Sequence, residues 1–275
     1  MQDDPLRLLR AYRQAAQLGF VIQSDTQAVI RQLASLLGQV AAERVRVELG
    51  YLLGSTRGTQ WLQAAWEDGL LATWFKSALA SHLTFLSAID SAAATVTQTF
   101  PPLGMELVKP VREPLKTTWL AIAKLATLVA TDPETAEIEL TNLTYSRVEI
   151  KGVTTAIKLL PQLKAIPPEQ MSLAQQYFFF RTAGEVFPVV AVLAVADGMN
   201  VEAIALLVNR YLNPNDPVAH PTPLVTGKEL MQALKLPSSP LVGELLLQIQ
   251  LAYIEGKIST PNEAIEFAYQ LLDSQ

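Results

Sequence analysis

Apolar residues recur at three- and four-residue steps along almost the whole chain. From Pro5 onward, Leu8, Ala11, Ala15, Leu18 and Ile22 keep that rhythm, with Leu9, Tyr12, Ala16 and Phe20 beside them. This is the stripe of an amphipathic helix. Asp4-Pro5 has the form of an N-cap followed by proline at the first helical position, and Gly19 is placed to end that helix before Phe20. Ser24-Asp25-Thr26-Gln27 reads as a capping box opening a second helix through Ile30, Leu33 and Leu37, which stops near Gly38. A third runs from Ala42 through Val45, Leu49 and Leu52 to Gly54. The same periodicity predicts helices at 59–68 (with Gly69 following), 70–89, 113–131, 147–160, 172–183 and 186–197. Shorter ones are expected at 201–212, 226–235, 240–255 and 261–273. Alternating β-branched runs bounded by turns are nearly missing, so the expected fold class is all-α.

Proline and glycine divide this succession. Phe100-Pro101-Pro102-Leu103-Gly104 reads as the end of one helical block, and Lys109 to Pro114 as the start of another. Ile166-Pro167-Pro168 is a further break, and the proline- and asparagine-rich stretch from Leu212 to Pro223 is the best linker candidate. No fixed-period repeat is found, which argues against a regular solenoid.

Composition narrows the chemistry. Half of the 275 residues are hydrophobic and 17% are charged, enough apolar material for a sizeable core. The absence of cysteine excludes disulfides and thiolate metal sites. His82 and His220 lie far apart, which leaves no histidine metal motif. A net charge of −5 does not point to nucleic acid. The acidic start is unlike a signal peptide, and the longest uncharged apolar run, Val186 to Ala196, falls short of the roughly 18 residues that span a bilayer. A soluble, cytoplasmic protein with no membrane partner is expected. No phosphate-cradling glycine motif, nucleophile elbow or Asp-x-Asp pair occurs. On residue types alone the expectation is a helical interaction module.

Three segments add to that reading. The opening Asp3-Asp4-Pro5-Leu6-Arg7-Leu8-Leu9-Arg10-Ala11-Tyr12-Arg13 resembles the EDPxRxLRAxRF segment of class II tRNA nucleotidyltransferases (CCA-adding enzymes) and bacterial poly(A) polymerases. Glu43-Arg44-Val45-Arg46-Val47-Glu48-Leu49 is similar to the family's ERIxxEL helix, and Trp66-Glu67-Asp68-Gly69-Leu70-Leu71 stands at its glycine-leucine-leucine turn. Leu224-Val225-Thr226-Gly227-Lys228-Glu229-Leu230, then Pro240 to Leu246 and Glu255 to Thr260, resemble its C-terminal LLTGKDL, GPxIGxxL and GxIxT signature.

The resemblance implies an elongated multi-helix array with a neck over 1–58, a body over 59–220 and a tRNA-binding tail over 221–275. It also implies that Asp4 and Arg7 select the incoming nucleotide. A carboxylate accepts from the exocyclic amine of cytosine or adenine, and a guanidinium donates to the neighbouring ring nitrogen; uracil and guanine present the opposite pattern. Arg10 is a further nucleotide-binding candidate. Glu43, Arg44 and Glu48 are expected to form an ion-pair network that fixes the neck. Gly227 and Lys228, in the first turn of a helix, are candidates for RNA phosphate. Each has a simpler reading: Asp4-x-x-Arg7 as an N-cap with an exposed ion pair, Thr226 as an N-cap beside a solvated Lys228, and the four tryptophans as packing anchors.

The family's catalytic head, with its Gly-x-x-Arg-Asp, Asp-x-Asp and Arg-Arg-Asp-Phe segments, precedes EDPxR, and here four residues precede Pro5. The expectation is therefore a chain with no catalytic or metal-binding residues of its own, inactive alone and binding no cofactor. Mg²⁺ would be held by the missing head, either a separate polypeptide or a part lost by truncation. Its partners would be tRNA and CTP or ATP. Addition of CCA and addition of A alone fit equally well. A non-catalytic RNA-binding or adaptor protein derived from the family is the alternative.

Overall fold

A computed structural model describes residues 3–55, 57–111 and 116–273. Among them every regular element is helical, apart from one isolated bridge between Pro110 and Thr118. In chain order the helices are α1 (Leu6–Leu18), α2 (Ser24–Leu33), α3 (Ala42–Leu53), α4 (Gly58–Glu67), α5 (Ala80–Thr99), α6 (Pro101–Val108), α7 (Trp119–Ala126) and α8 (Pro133–Asn142). They continue with α9 (Arg147–Ala165), α10 (Leu173–Ala183), α11 (Phe187–Ala196), α12 (Ala205–Leu212), α13 (Gly227–Leu234), α14 (Pro240–Ile254) and α15 (Pro261–Asp273).

These helices form two compact units. One holds the chain up to Ala165 together with Ala183–Ile204; the other holds Ile166–Thr182 and the chain from Ala205 onward. The packing units thus cross positions 58 and 220 instead of dividing there, while the Ile166-Pro167-Pro168 break does coincide with a boundary.

In the first unit α1 packs on α3 and α4 through Leu8, Leu9, Tyr12 and Ala15, all buried. Further along, α11 packs on α5, α7 and α9, and every residue from Phe187 to Ala194 is buried. With α10 and an intervening 3₁₀ turn, α11 makes one helical run, Leu173–Ala196, as long and apolar as a membrane span. The helices expected at 172–183 and 186–197 are α10 and α11 of this run. Its most apolar window is 67% buried within the protein, which is how a core helix satisfies the same composition. The second unit is centred on Leu230, Leu245, Ile249, Ala264 and Ala268, contributed by α13, α14 and α15.

Several local expectations are corrected. Pro5, not Asp4, holds the N-cap position of α1, and no side chain caps it. The Ser24 box does not form, because α2 already begins at Ser24 and Gln27 turns to Asp68 instead. Beyond Gly19 the chain leaves the helix, so Phe20 and Val21 are exposed and not part of the apolar face. The helix expected at 70–89 begins only at Ala80. After Gly69 at φ +81°, the Leu70 amide returns to the Ala65 carbonyl and the Gly69 amide to that of Trp66, closing α4 in a Schellman motif. Leu70, Leu71 and Phe75 are buried from turns, which imitates helical spacing.

Pro101 and Pro102 start α6 rather than end a block, since proline's missing N–H costs nothing in a first turn. The helix expected at 113–131 is α7, capped by Thr118; positions 112–115 lie outside the described residues. Asp132-Pro133 opens an unforeseen helix, α8, with the Asp132 carboxylate accepting from the Thr135 amide.

Candidate functional site

The N-terminal candidates meet where α1 lies against α3. Glu48, buried on α3, accepts from two successive arginines of α1: Arg10 Nε at 2.9 Å and Arg13 Nε at 2.5 Å. Those arginines are three residues apart, so they project from one helix face onto both oxygens of a single carboxylate. One turn earlier on α3, Arg44 Nη2 lies 3.2 Å from each oxygen of Asp4. Asp4 itself stands just before α1, and its carbonyl accepts from the Arg7 amide at 3.1 Å. Its carboxylate is paired with Arg44 and not with Arg7. Arg7 is exposed and has no ion-pair partner among the described residues, and the same holds for Glu43.

A second buried carboxylate, which the sequence reading did not single out, fixes the far side of α1. Asp68, fully buried at the end of α4, accepts from Tyr12 Oη, from Gln27 Nε2 at 2.7 Å and from Arg31 Nε. Burial pushes this carboxyl up, but hydrogen bonds from Tyr12, Gln27 and Arg31 outweigh it and hold it below the ordinary carboxylate range. Burial, with the Asp68 charge, drives the Tyr12 hydroxyl far up, so it serves as a donor. Two carboxylates, Glu48 and Asp68, thereby clamp α1 to α3, α2 and α4. The local signal for Asp68 was its place before the chain-reversing Gly69; its partners, 37 to 56 positions away, were not visible in any local pattern.

The tail candidates lie at the start of α13. Thr226 caps that helix: its hydroxyl accepts from the Glu229 amide, and the Glu229 carboxylate reaches back to the Thr226 amide at 2.7 Å. Hydrogen bonds from Thr226 hold the Glu229 carboxyl below its ordinary value. Gly227 is the first helical residue and half-buried, and Lys228 is exposed without an ion pair among the described residues. The positive helix end is therefore already shared with one carboxylate.

The remaining expectations can be placed as well. Trp119 is buried, and Trp61 packs edge-on against Tyr12 at 6.1 Å between ring centroids. His82 and His220 are half-buried, and His220 Nε2 lies 2.6 Å from the Tyr211 carbonyl. No three histidine, aspartate or glutamate side chains converge on a common point among the described residues.

Comparison with known proteins follows the same geometry. The family model described as "tRNA nucleotidyltransferase domain 2 putative" matches residues 113–268, and "Probable RNA and SrmB- binding site of polymerase A" matches residues 19–81. The CC-adding tRNA nucleotidyltransferase of Synechocystis sp. is 46% identical over 273 residues, covering 98% of this chain and 65% of that protein. The CCA-adding enzyme of Lactiplantibacillus plantarum is 27% identical over 274 residues, covering 99% of this chain and 61% of that protein. The chain thus spans under two thirds of the length of these relatives. Among solved structures, the Bacillus stearothermophilus CCA-adding enzyme in complex with CTP aligns with a TM-score of 0.68 at 23% identity, over 98% of this chain and 62% of that one. The Thermotoga maritima CCA-adding enzyme complexed with tRNA gives 0.64 at 17% identity, over 98% and 62%. At these identities the structural likeness speaks for the fold.

Proposed function

Because the chain belongs to the tRNA nucleotidyltransferase family, that of the CCA-adding enzymes, we propose that it is the part of such an enzyme that selects the nucleotide and holds the tRNA. The reaction in which it takes part is transfer of CMP from CTP to the tRNA 3′ end. The 46% identity to a relative named as CC-adding favours C addition over the addition of A alone. In this reading, transfer itself falls to a head that supplies the metal-binding carboxylates.

The observation that carries this reading is the division of labour along α1. Arg10 and Arg13 are bound to Glu48, whereas Arg7 stays exposed and unpaired beside an Asp4 carboxylate oriented by Arg44. Asp4 accepts from N4 of cytosine and Arg7 donates to N3, so uracil would set acceptor against acceptor and donor against donor. Arg44 uses one nitrogen on the Asp4 carboxylate and leaves lone pairs for the base. Arg10 keeps its terminal nitrogens for the nucleotide's phosphates, and its side chain is 39% exposed. Lys228 and the Gly227 amide meet an RNA phosphate in the tail, where Glu229 limits the affinity.

The test is tRNA 3′-end labelling with radioactive CTP and Mg²⁺, using the purified chain alone and with a family head domain supplied. Labelling only with the head, together with a tRNA gel shift by the chain alone, is the expected result. No labelling with or without the head, alongside a tRNA gel shift, would leave the non-catalytic RNA-binding or adaptor reading standing in place of this one.

A further inference from the structure

A second cluster of donors, unrelated to Asp4 and Arg7, lies in the first unit where α3 faces the start of α9. It lines a cavity of about 230 Å³ whose walls include Arg46, Tyr51, Lys116, Tyr145 and Glu149. One water occupies about 30 Å³ of liquid, so the space admits a group several times larger. The α3 side is open at Gly50, where an added Cβ would meet nothing within 4 Å.

The polar atoms around this cavity are unevenly satisfied. Glu149 is buried, and its oxygens are already taken: Oε1 accepts from Thr117 Oγ1 at 2.6 Å, and Oε2 from the Ser146 amide at 2.8 Å and hydroxyl at 2.7 Å. Arg46 Nη1 reaches Glu149 only at 3.8 Å, and Arg46 Nε is buried without a partner. Tyr145 is 7% exposed, and its hydroxyl is likewise buried and unpartnered. Burial, together with the Glu149 charge, pushes that hydroxyl's pKa up and keeps it a donor. Lys116 Nζ stands 5.9 Å from the centre of the Tyr51 ring, and no ion pair engages it among the described residues. Two cations and an idle hydroxyl thus surround one carboxylate that already accepts three hydrogen bonds. A buried donor left unmade costs free energy comparable to a hydrogen bond, and this lining asks for a ligand that only accepts.

We infer that this cavity is a phosphate site. A tetrahedral oxyanion accepts from Arg46 Nε and Tyr145 Oη while Lys116 balances its charge. An ester substituent can lie along the half-exposed Tyr51 ring. The phosphate comes either from an RNA backbone or from a soluble phosphate ester. The site stands independently of the base-selection reading; only its assignment to RNA rests on the proposed tRNA role.

The experiment titrates inorganic phosphate into the full chain by calorimetry at fixed ionic strength, beside Lys116→Gln and Tyr145→Phe. Tyr145→Phe removes only a hydroxyl that bonds nothing, so its unfolding midpoint should match the parent. The expected result is phosphate binding that weakens about tenfold in Lys116→Gln and about fivefold in Tyr145→Phe. Equal phosphate binding by all three proteins, or none by the parent, would overturn the site. A parallel tRNA titration identifies the source. An RNA phosphate predicts weaker tRNA binding in Lys116→Gln, with the salt slope reduced by about 1. Unchanged tRNA affinity alongside lost phosphate binding assigns the same site to a soluble ester.

Discussion

The neck around α1 and the tail around α13 to α15 use their carboxylates in opposite ways. In the neck, Glu48 and Asp68 are buried and collect partners from distant parts of the chain: Arg10 and Arg13 on one, Tyr12, Gln27 and Arg31 on the other. In the tail, Glu229 and Glu263 are exposed and bond only to residues three or four positions away, at the starts of α13 and α15. The tail's interior is instead apolar, built on Leu230, Leu245, Ile249, Ala264 and Ala268. The neck spends cations to hold a helix in a defined place, and the one arginine it leaves exposed on the first turn of α1 is Arg7. The tail is stabilised by hydrophobic burial, with its acids trimming helix ends.

That contrast can be broken by substitution. Asp68→Ala should have the largest effect, lowering stability by about 3 kcal/mol in equilibrium urea unfolding, because it strands the Tyr12 hydroxyl and Gln27 and frees Arg31. Glu48→Gln should cost about 2 kcal/mol, since the amide keeps one acceptor but loses the charge that two arginines share. Thr226→Ala, which removes an exposed cap, should cost about 1 kcal/mol. If Thr226→Ala proved as damaging as Asp68→Ala, the distinction between the two regions would fail.

Acid sharpens the same comparison. The folded Asp68 carboxyl lies below its ordinary value, so its contribution is complete above that value, about 3.9, and is lost as pH falls toward the folded one. The urea midpoint should therefore drop below about pH 4, and Asp68→Asn should flatten that drop more than Glu229→Gln does. Equal flattening by the two variants would mean that burial adds nothing to the coupling.

The comparison also explains what the sequence could reveal. Gly19 and Gly69 were legible as helix ends because a left-handed residue after an apolar stripe is a local signal, and both adopt positive φ. Thr226 was legible as a cap because a side-chain oxygen ahead of an apolar stripe, with Glu229 three residues on, is an equally local signal. The turns at 70–79 were not, since buried Leu70, Leu71 and Phe75 mimic helical periodicity without forming it. The Asp4, Arg7 and Glu48 positions came from resemblance to a family, and periodicity alone would have left them as solvated charges. Tyr145 and Lys116 carried no local pattern; only folding brings them to one cavity. Motifs bounded by a few residues can be read in advance, whereas hubs of side chains from remote segments require the fold.

The central claim is that Arg7, left free by the Glu48 clamp, reads the base, while Arg10 does not. The most direct measurement is the ratio of kcat/KM for CTP to that for UTP in tRNA 3′-end labelling, with a catalytic head supplied, for the parent, Arg7→Ala and Arg10→Ala. The account predicts a loss of preference for CTP of at least about tenfold in Arg7→Ala, from the base contact it removes. In Arg10→Ala the ratio should be unchanged even where the overall rate falls. A parent-like ratio in Arg7→Ala, or a collapsed one in Arg10→Ala, would contradict it.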